Sequence, residues 1–574
     1  MPRRILAALT AVGGALLLAG GMLPAATLRG LADRLARDGS LDLLTPALVG
    51  ALRGGLLLAG LGLLAAAWLL WARASAAHMF LARLAADACR FWQDLRAVRL
   101  SRWEGAGLAL ALAAAAYARL ALIRAPIRYD EAYTFMAFAV RPAWSILSDY
   151  SLPNNHILHT LLVRAAYLAF GGELWAIRLP AFLAGLATVA AAYLAARLFY
   201  GRRAALLAAG LAAVWPYLVH YGADARGYSL VGLLTLLIFT LGAYLLERGS
   251  LLAWLLVALF SALGLFTIPV MAYPIGVLYT WLLLSALPGG RARFMRLLAG
   301  CFFSGLLTMA LSGLLYAPVL IFSGPRALFA NTFVRSYSLG QFFELQGVWL
   351  RGIYDSWSLG LPPLLFGLAA AGWAAVLLLQ PRISRFRLNP AWAALLFFAA
   401  VLPLQRPEMV AKIFFFLVPL LLLGSAAGWA ALLVRLPGPR LVQPVLLGLA
   451  LAGLAWGAAL QARPSLPYLL HGEMGDIEQV AIYLAGRVQP GEAVLAGYPI
   501  DPQVWYYGYR YGLAQEYFRA QEYRRAFVLV QPGMGQSLEG VLNERASAQT
   551  PLAPRDCALE IDLLDTLIYL CQAR

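Results

Sequence analysis

The sequence predicts a polytopic α-helical membrane protein of about thirteen transmembrane helices, closed by a small C-terminal α/β domain. Three observations predict it. Mean hydropathy is +0.73 across the chain, apolar runs of about 18 or more residues recur along most of it, and after Arg463-Pro464 the composition turns to that of a soluble domain. With 62% hydrophobic and 13% charged residues in 574, a soluble globule is excluded. A formal charge of +17 would point a soluble protein toward nucleic acid. Here the arginines fall mostly in short loops between apolar runs, where they orient spans, so no nucleic-acid partner is expected.

Residues 1–103 read as two N-terminal spans and a basic helix. Two arginines precede an apolar run at 5–26, an anchor or an uncleaved signal. Residues 28–46 alternate charge and leucine at helical spacing, as an interfacial helix does. A second span at 48–72 leads to residues 73–102, whose six arginines and helical periodicity fit a cytoplasmic surface helix. The core, 104–460, carries apolar segments at 104–123, 176–199, 204–219, 229–246, 251–267, 272–287, 297–318, 358–379, 391–404, 413–434 and 443–460.

Counting Arg and Lys in the short connections gives eleven on one side and three on the other. The richer side is cytoplasmic by the positive-inside rule. The N-terminus is then inside, and the loops 124–175, 220–228 and 319–357 and everything after 461 are outside. Within the first outer loop, residues 157–170 are apolar but too short to span and hold Arg164, which predicts a helix along the membrane surface. The aromatic 319–357 loop predicts short helices over a cavity mouth.

Residues 461–574 alternate helical and strand patterns, as a small extracytoplasmic α/β domain does. Its aromatic stretch at 505–511 reads as an aromatic helix or loop. Of the four cysteines, Cys89, Cys301, Cys557 and Cys571, none has metal-ligand spacing. Cys557 and Cys571 pair if the domain lies in an oxidising compartment, or stay separate buried thiols. No internal repeat and no nucleotide-binding fingerprint is present.

Chemistry concentrates in the outer loops. Asp130 and Glu131 are adjacent, so on a helix they point about 100° apart. One can aim at a reacting atom while the other braces a neighbour, or Asp130 simply caps the helix. His220, Asp224 and Arg226 lie within HYGADARGYSL, where the carboxylate and guanidinium suit a divalent metal ion, a phosphodiester, or a mutual ion pair. Lys412, the one lysine of the chain, stands at the outer end of a span beside Arg406, either snorkelling to headgroups or binding phosphate. His156 and His159, three apart, share a helix face compatible with metal ligation or with substrate positioning. All of these clusters fall on the same expected side, while the spans hold few mid-bilayer ionisable groups of the kind ion-coupled transporters use. Chemistry at the outer surface fits this distribution better than transport through the core.

The ordered series YDEAYT, LPNNHILHTLL followed by ELWAIRLPAFLAGLATVAAAYLAARLFYG, then HYGADARGYSL and AKIFFFLVPLLLL resembles the GT-C superfamily of polyprenyl-phosphate-dependent glycosyltransferases, in particular its branch of protein O-mannosyltransferases and lipid A aminoarabinose transferases. It spans roughly residues 104–434. The resemblance implies a GT-C-like membrane core and inverting transfer of a sugar from a polyprenyl-phosphate donor to a lipid, glycan or protein acceptor, at the outer side of the bacterial inner membrane. It assigns Asp130 as catalytic base with Glu131 its companion. Asp224, His156, His159 and His220 become acceptor or metal-site candidates, Asp224 and His156 being those for a divalent ion. Lys412 and Arg226 become candidate donor-phosphate ligands, with Arg406 beside them a further candidate, and the aromatic stretch at 505–511 becomes either a platform for the sugar rings of an acceptor glycan or part of a lid or stabilising domain. The chain departs from the family in its Asn154-Asn155-His156 turn, where many members carry a His-Pro-Pro-Leu-like one, and in its two additional N-terminal spans. Transfer of a whole oligosaccharide within the same superfamily, or transport of a lipid-linked sugar, is the alternative.

Overall fold

The computed structural model describes residues 2–35, 46–72, 74–331, 336–358, 361–435 and 476–573. The span expected at 443–460 and the first residues of the C-terminal domain lie outside them. Helices Pro2–Met22 and Pro46–Ala72 form an antiparallel pair. A Cβ on Gly14 or on Gly60 would lie 2.9 Å from the other residue's carbonyl oxygen, so the two backbones touch only because neither has one. The basic helix Ala74–Ala97 is tied to the turn at 248–251. Asp87 accepts the Leu251 N–H at 2.6 Å, and Asp94 meets Arg248 at 3.3 Å. Both segments were expected on the cytoplasmic side.

The expected apolar segments are helices with closely matching ends, among them Arg102–Leu120, Leu174–Tyr200, Tyr228–Glu247, Leu251–Thr267, Pro363–Ile383, Pro390–Gln405 and Leu417–Arg435. Leu174–Tyr200 turns directly into Arg202–Val214 at Gly201, whose φ of 93° suits glycine. The interior where these helices meet Arg102–Leu120 is lined by alanines, Ala115, Ala192, Ala208 and Ala212 all fully buried, which lets backbones approach closely. Large apolar side chains such as Phe303, Met309 and Leu378 point outward, as on a lipid-facing surface.

Against about thirteen expected spans, five of the described helical segments are long and apolar enough to cross a bilayer, or six if the bent pair near residues 22–25 is one span. Others are shorter, Leu251–Thr267 and Pro390–Gln405 among them. The segment expected at 204–219 is broken, because Pro216 follows Trp215 and starts a separate short helix, Pro216–Tyr221. Proline has no N–H to give the Ala212 carbonyl. Arg119, fully buried, supplies the missing donors. Its guanidinium bonds the carbonyls of Ala115 at 3.0 Å, Ala213 at 2.9 Å, Leu218 at 3.4 Å and Ala212 at 3.5 Å. A cation is thereby spent on carbonyls around the break, in an apolar interior where an unpaired one is costly.

On the expected outer side, Ile157–Phe170 is a helix as predicted, and among the described residues of 317–358 there are four short ones, Ala317–Phe322, Pro325–Phe329, Leu339–Glu344 and Gln346–Ser358. The C-terminal domain is a four-stranded sheet, β1 Glu492–Ala496, β2 Arg525–Val530, β3 Cys557–Leu563 and β4 Thr566–Gln572, in the order β1-β2-β4-β3. β1 and β2 are parallel; β4 is antiparallel to β2 and β3. Cys557 and Cys571 face each other across β3 and β4 and form a disulfide.

The aromatic stretch at 505–511 packs as the stabilising reading of it expects. It belongs to helix Asp501–Arg510, and most of its rings bind the domain to the rest of the chain rather than facing solvent. Tyr506 donates to the Gly172 carbonyl at 2.8 Å, Tyr509 and Tyr167 share a hydrogen bond of 2.7 Å, and the Tyr507 hydroxyl accepts the Ile127 N–H at 3.3 Å. Phe135 packs edge-on against Tyr506, Tyr167 and Tyr509, and Arg510 reaches Glu173 at 2.6 Å. The domain is thus clamped over the loop that carries Asp130.

Candidate active site

The chain leaves Arg102–Leu120 through a turn, reaches Pro126 and enters the short helix Tyr129–Thr134 from an extended Arg128. The Glu131 carboxylate accepts the Arg128 N–H at 3.1 Å, capping this helix from its third position. A π-helical turn, Phe135–Ala139, continues it, a local irregularity common at functional sites.

Glu131 and Asp130 point apart. Glu131 is buried and takes Arg178 by both oxygens, Nε at 2.9 Å and an amino nitrogen at 2.6 Å, and it also accepts the Ala225 N–H at 2.5 Å. Burial works against its charge, but Arg178 outweighs it and holds the carboxyl well below the usual carboxylate range. Arg178 in turn bonds the carbonyls of Leu122, Ile123, Ala125 and Pro126.

Asp130 instead opens on a cavity of about 850 Å³. One carboxylate oxygen accepts the Asn154 amide at 3.2 Å; the other lies 3.3 Å from the Lys412 ammonium and 3.6 Å from the Arg226 guanidinium. Burial pushes its pKa up, yet Arg226, Lys412 and the Asn154 amide together bring it below the ordinary value. Lys412 stays cationic, its pKa held up by Tyr228 and Asp130 against partial burial. Arg226 is positioned by Thr134 at 2.8 Å, by the Asn154 carbonyl at 3.1 Å and by the Asn154 side-chain oxygen at 3.2 Å.

Asp224 also lines the cavity. One oxygen is 3.1 Å from Arg128, and the other is buried with no hydrogen-bond partner. Burial, then the negative Glu131, raises its pKa despite Arg128. His220 sits beside it, its Nδ1 3.1 Å from the Arg128 guanidinium. The cavity thus joins Asp130, Asp224, His220, Arg226 and Lys412, from loops up to 282 residues apart.

Other expected members stay outside it. Arg406, left-handed at φ 50°, ends helix Pro390–Gln405, and its carbonyl accepts the Tyr337 N–H at 3.0 Å; it does not line the cavity. His156 is buried, Nδ1 accepting the Gly227 N–H at 3.0 Å and Nε2 lying 3.3 Å from Arg226. Burial and Arg226 hold its pKa well below the ordinary value. His159 is buried too, with neither ring nitrogen bonded, and burial takes its pKa down to about 3. The divalent ion that Asp224 and His156 were to hold does not fit these residues. The free edge of His156 faces a guanidinium, Asp224 is engaged by Arg128, and among the described residues no three His, Cys, Asp or Glu side chains converge.

The sequence reading passed over Arg128, which holds both Asp224 and His220, and Asn154, which joins Asp130 to Arg226. It also missed the cavity's outer wall, formed by Tyr498, Gln536 and Glu544 of the C-terminal domain. Adjacency of Arg128 to the acidic pair was the one local signal; the wall had none.

Residues 154–321 match the family model described as dolichyl-phosphate-mannose-protein mannosyltransferase. The segment contains Asn154, Asp224 and Arg226, while Asp130 and Lys412 flank it. The fold is similar to that of ArnT from Cupriavidus metallidurans in the apo state, with a TM-score of 0.56 at 14% identity over 82% of this chain and 97% of that one. ArnT from the same organism bound to undecaprenyl phosphate gives 0.54 at 14% identity, over 82% and 98%. The archaeal oligosaccharyltransferase AglB from Archaeoglobus fulgidus, in complex with an inhibitory peptide and a dolichol-phosphate, aligns too loosely to carry an argument, with a TM-score of 0.46 at 12% identity over 74% and 69%. No curated protein matches the sequence. The resemblance to GT-C membrane glycosyltransferases read from the motifs is borne out by the family match and the shared fold.

Proposed function

We propose that this chain is an inverting glycosyltransferase that moves a hexosyl or pentosyl group from a polyprenyl-phosphate donor to a hydroxyl of a lipid, glycan or protein acceptor, at the outer face of the bacterial cytoplasmic membrane. The observation that carries this reading is Asp130 held open to a cavity between Lys412 at 3.3 Å and Arg226 at 3.6 Å. A carboxylate and two cations at one point can serve the two ends of such a reaction. The ArnT structure bound to undecaprenyl phosphate supports the choice of donor.

In this reading the donor phosphate meets Lys412 and Arg226. As the bond from the anomeric carbon to the phosphate oxygen breaks, its electron pair leaves with the polyprenyl phosphate, and the two cations stabilise the charge that develops. The acceptor oxygen bonds to the opposite face of that carbon and gives its proton to Asp130, which inverts the centre. Asp130 is a weak base while Lys412 lies against it. A phosphate that draws Lys412 away strengthens the base as the donor arrives. Asn154 positions Asp130 and Arg226 relative to each other, and no step needs a metal ion.

The test is sugar transfer from a panel of radiolabelled polyprenyl-phosphate sugars in proteoliposomes, comparing wild type with Asp130→Asn. The expected result is transfer from at least one donor, reduced by ~10²–10⁴ in the variant with donor binding retained. Transfer unaffected by the substitution removes Asp130 from the mechanism. Lipid-linked sugar crossing the bilayer without transfer would establish transport instead.

A further inference from the structure

A second cavity, of about 590 Å³, lies beside the first. Its wall includes Tyr133, Asp501, Trp505, Arg519, Glu544 and Arg545. The two spaces are neighbours by construction. Glu544 lines both, and Tyr129 and Tyr133, one turn apart on the helix that carries Asp130, line the first and the second respectively.

Helix Asp501–Arg510 explains how the second cavity is made. Its Tyr506, Tyr507 and Tyr509 are used up in clamping the domain, whereas Asp501 and Trp505, spaced four apart, share another face and look into the cavity. Two polar atoms on that face are left over. The indole Nε1–H of Trp505 and one carboxylate oxygen of Asp501 are buried without a hydrogen-bond partner, which native proteins rarely tolerate unless a ligand or water completes them. The other Asp501 oxygen is held by Arg545 at 2.7 Å, and the Arg519 guanidinium lies over the Trp505 ring at 5.0 Å. Arg545 also reaches Glu544 at 3.0 Å.

We infer that this second cavity is a saccharide-binding subsite, holding sugar units of the acceptor next to the hydroxyl that reacts at Asp130. An unpaired donor and an unpaired acceptor one helical turn apart are completed by hydroxyl groups, each of which both accepts and donates. The wall holds Arg519 and Arg545 against Asp501 and Glu544, Arg545 being paired with both carboxylates, so its charges balance and the site does not call for a strongly charged ligand, and an aromatic ring with convergent polar groups is the usual composition of a small-molecule pocket. The inference rests on the transferase reading for the word acceptor, and it narrows that acceptor to a glycan.

The test uses the full-length chain in nanodiscs and saturation-transfer NMR with four probes: maltotriose, chitotriose, trigalacturonate and a serine-containing hexapeptide. At least one trisaccharide is expected to bind. Trp505→Phe, which keeps the ring and removes only the N–H, should weaken that binding about tenfold, and Ala520→Trp, which fills the cavity from its wall, should abolish it. Binding of no trisaccharide, binding of the peptide alone, or trisaccharide binding indifferent to both substitutions overturns the subsite. Transfer assays separate the two readings. Trisaccharide binding that responds to Trp505→Phe, in a protein that transfers sugar from no donor, sinks the transferase reading and leaves the saccharide site standing. Robust transfer whose acceptor KM does not move relative to donor KM in Trp505→Phe sinks the subsite and leaves the transferase.

Discussion

Glu131 and Arg178 form a bidentate ion pair in which neither side chain is exposed to solvent. Through it, the helix carrying Asp130 is fastened to the span Leu174–Tyr200, to the carbonyls of 122–126, and by way of the Ala225 N–H to the loop of Asp224 and Arg226. The residue beside Asp130, the proposed base, thus acts as a brace. Glu131→Gln leaves Arg178 charged and buried without its counterion, which costs about 3–5 kcal/mol. We expect a clear fall in thermal unfolding temperature in detergent, whereas Asp130→Asn, at the cavity surface, should shift it little. Glu131 has a lowered pKa in the folded chain, so its contribution is present above the ordinary carboxylate range and lost only as pH falls through the depressed value. A wild-type protein that loses stability between pH 7 and 5 because of Glu131 would contradict this.

The apolar runs mark the helices well. Expected ends at 176–199, 229–246 and 251–267 compare with Leu174–Tyr200, Tyr228–Glu247 and Leu251–Thr267, because hydrophobic length is a local property. Arginine counts put Asp130, Asp224, Arg226 and Lys412 on one expected side, and it was the resemblance to the GT-C superfamily, not the counts, that implied their gathering in one site. What stayed hidden depends on distant partners. Arg119 and Arg178 look like stray charges in apolar runs until the carbonyls they bond, up to 99 residues away, are known. For the tyrosines of 505–511 the sequence leaves a sugar platform and a stabilising contact both open, and only Gly172, Tyr167 and Ile127 seen against them decide for the second. Arg406 and Lys412 are six residues apart, yet the left-handed turn at Arg406 keeps the first out of the cavity that the second enters.

Lys412 and Arg226 hold the Asp130 pKa down against burial. A base works only when deprotonated, so activity falls as pH drops through its pKa. Removing Lys412 raises that pKa. Lys412→Ala should therefore move the acid limb of the kcat/KM profile to higher pH, and Lys412→Arg should largely restore it. Because the same ammonium is proposed to bind the donor phosphate, donor KM should rise in Lys412→Ala as well. An acid limb unmoved in Lys412→Ala would separate Lys412 from Asp130.

Asp224 carries the opposite shift. Burial and Glu131 raise its pKa in the folded chain from 3.8 to about 7. Between these values the folded state holds a proton that the unfolded chain releases, so stability falls as pH rises. Asp224→Asn imitates the protonated form at every pH. The variant should unfold at a higher temperature than wild type at pH 8, and the difference should vanish near pH 4. A variant less stable than wild type at pH 8 would mean that the Arg128 pair, at 3.1 Å, dominates.

The Cys557–Cys571 bond closes a loop between residues 14 apart and so constrains the unfolded domain by ~3 kcal/mol. A disulfide of this kind persists on the oxidising side of a bacterial membrane, and the outer side expected for the domain from arginine counts is what labelling tests. The remaining cysteines allow a direct test. Cys89, exposed on helix Ala74–Ala97, belongs to the expected cytoplasmic face, and Cys301 is buried. Cys571→Ser leaves Cys557 as a thiol in the C-terminal domain. An impermeant maleimide added to spheroplasts should label Cys557 in that variant at once and Cys89 only after permeabilisation, while wild type shows no labelling from outside. The domain should also unfold at a lower temperature in Cys571→Ser. Labelling of Cys89 from the outside would invert the topology and place the Asp130 cavity at the cytoplasmic face, where a thiol pair would stay reduced and the donor sugar would have to be presented from within.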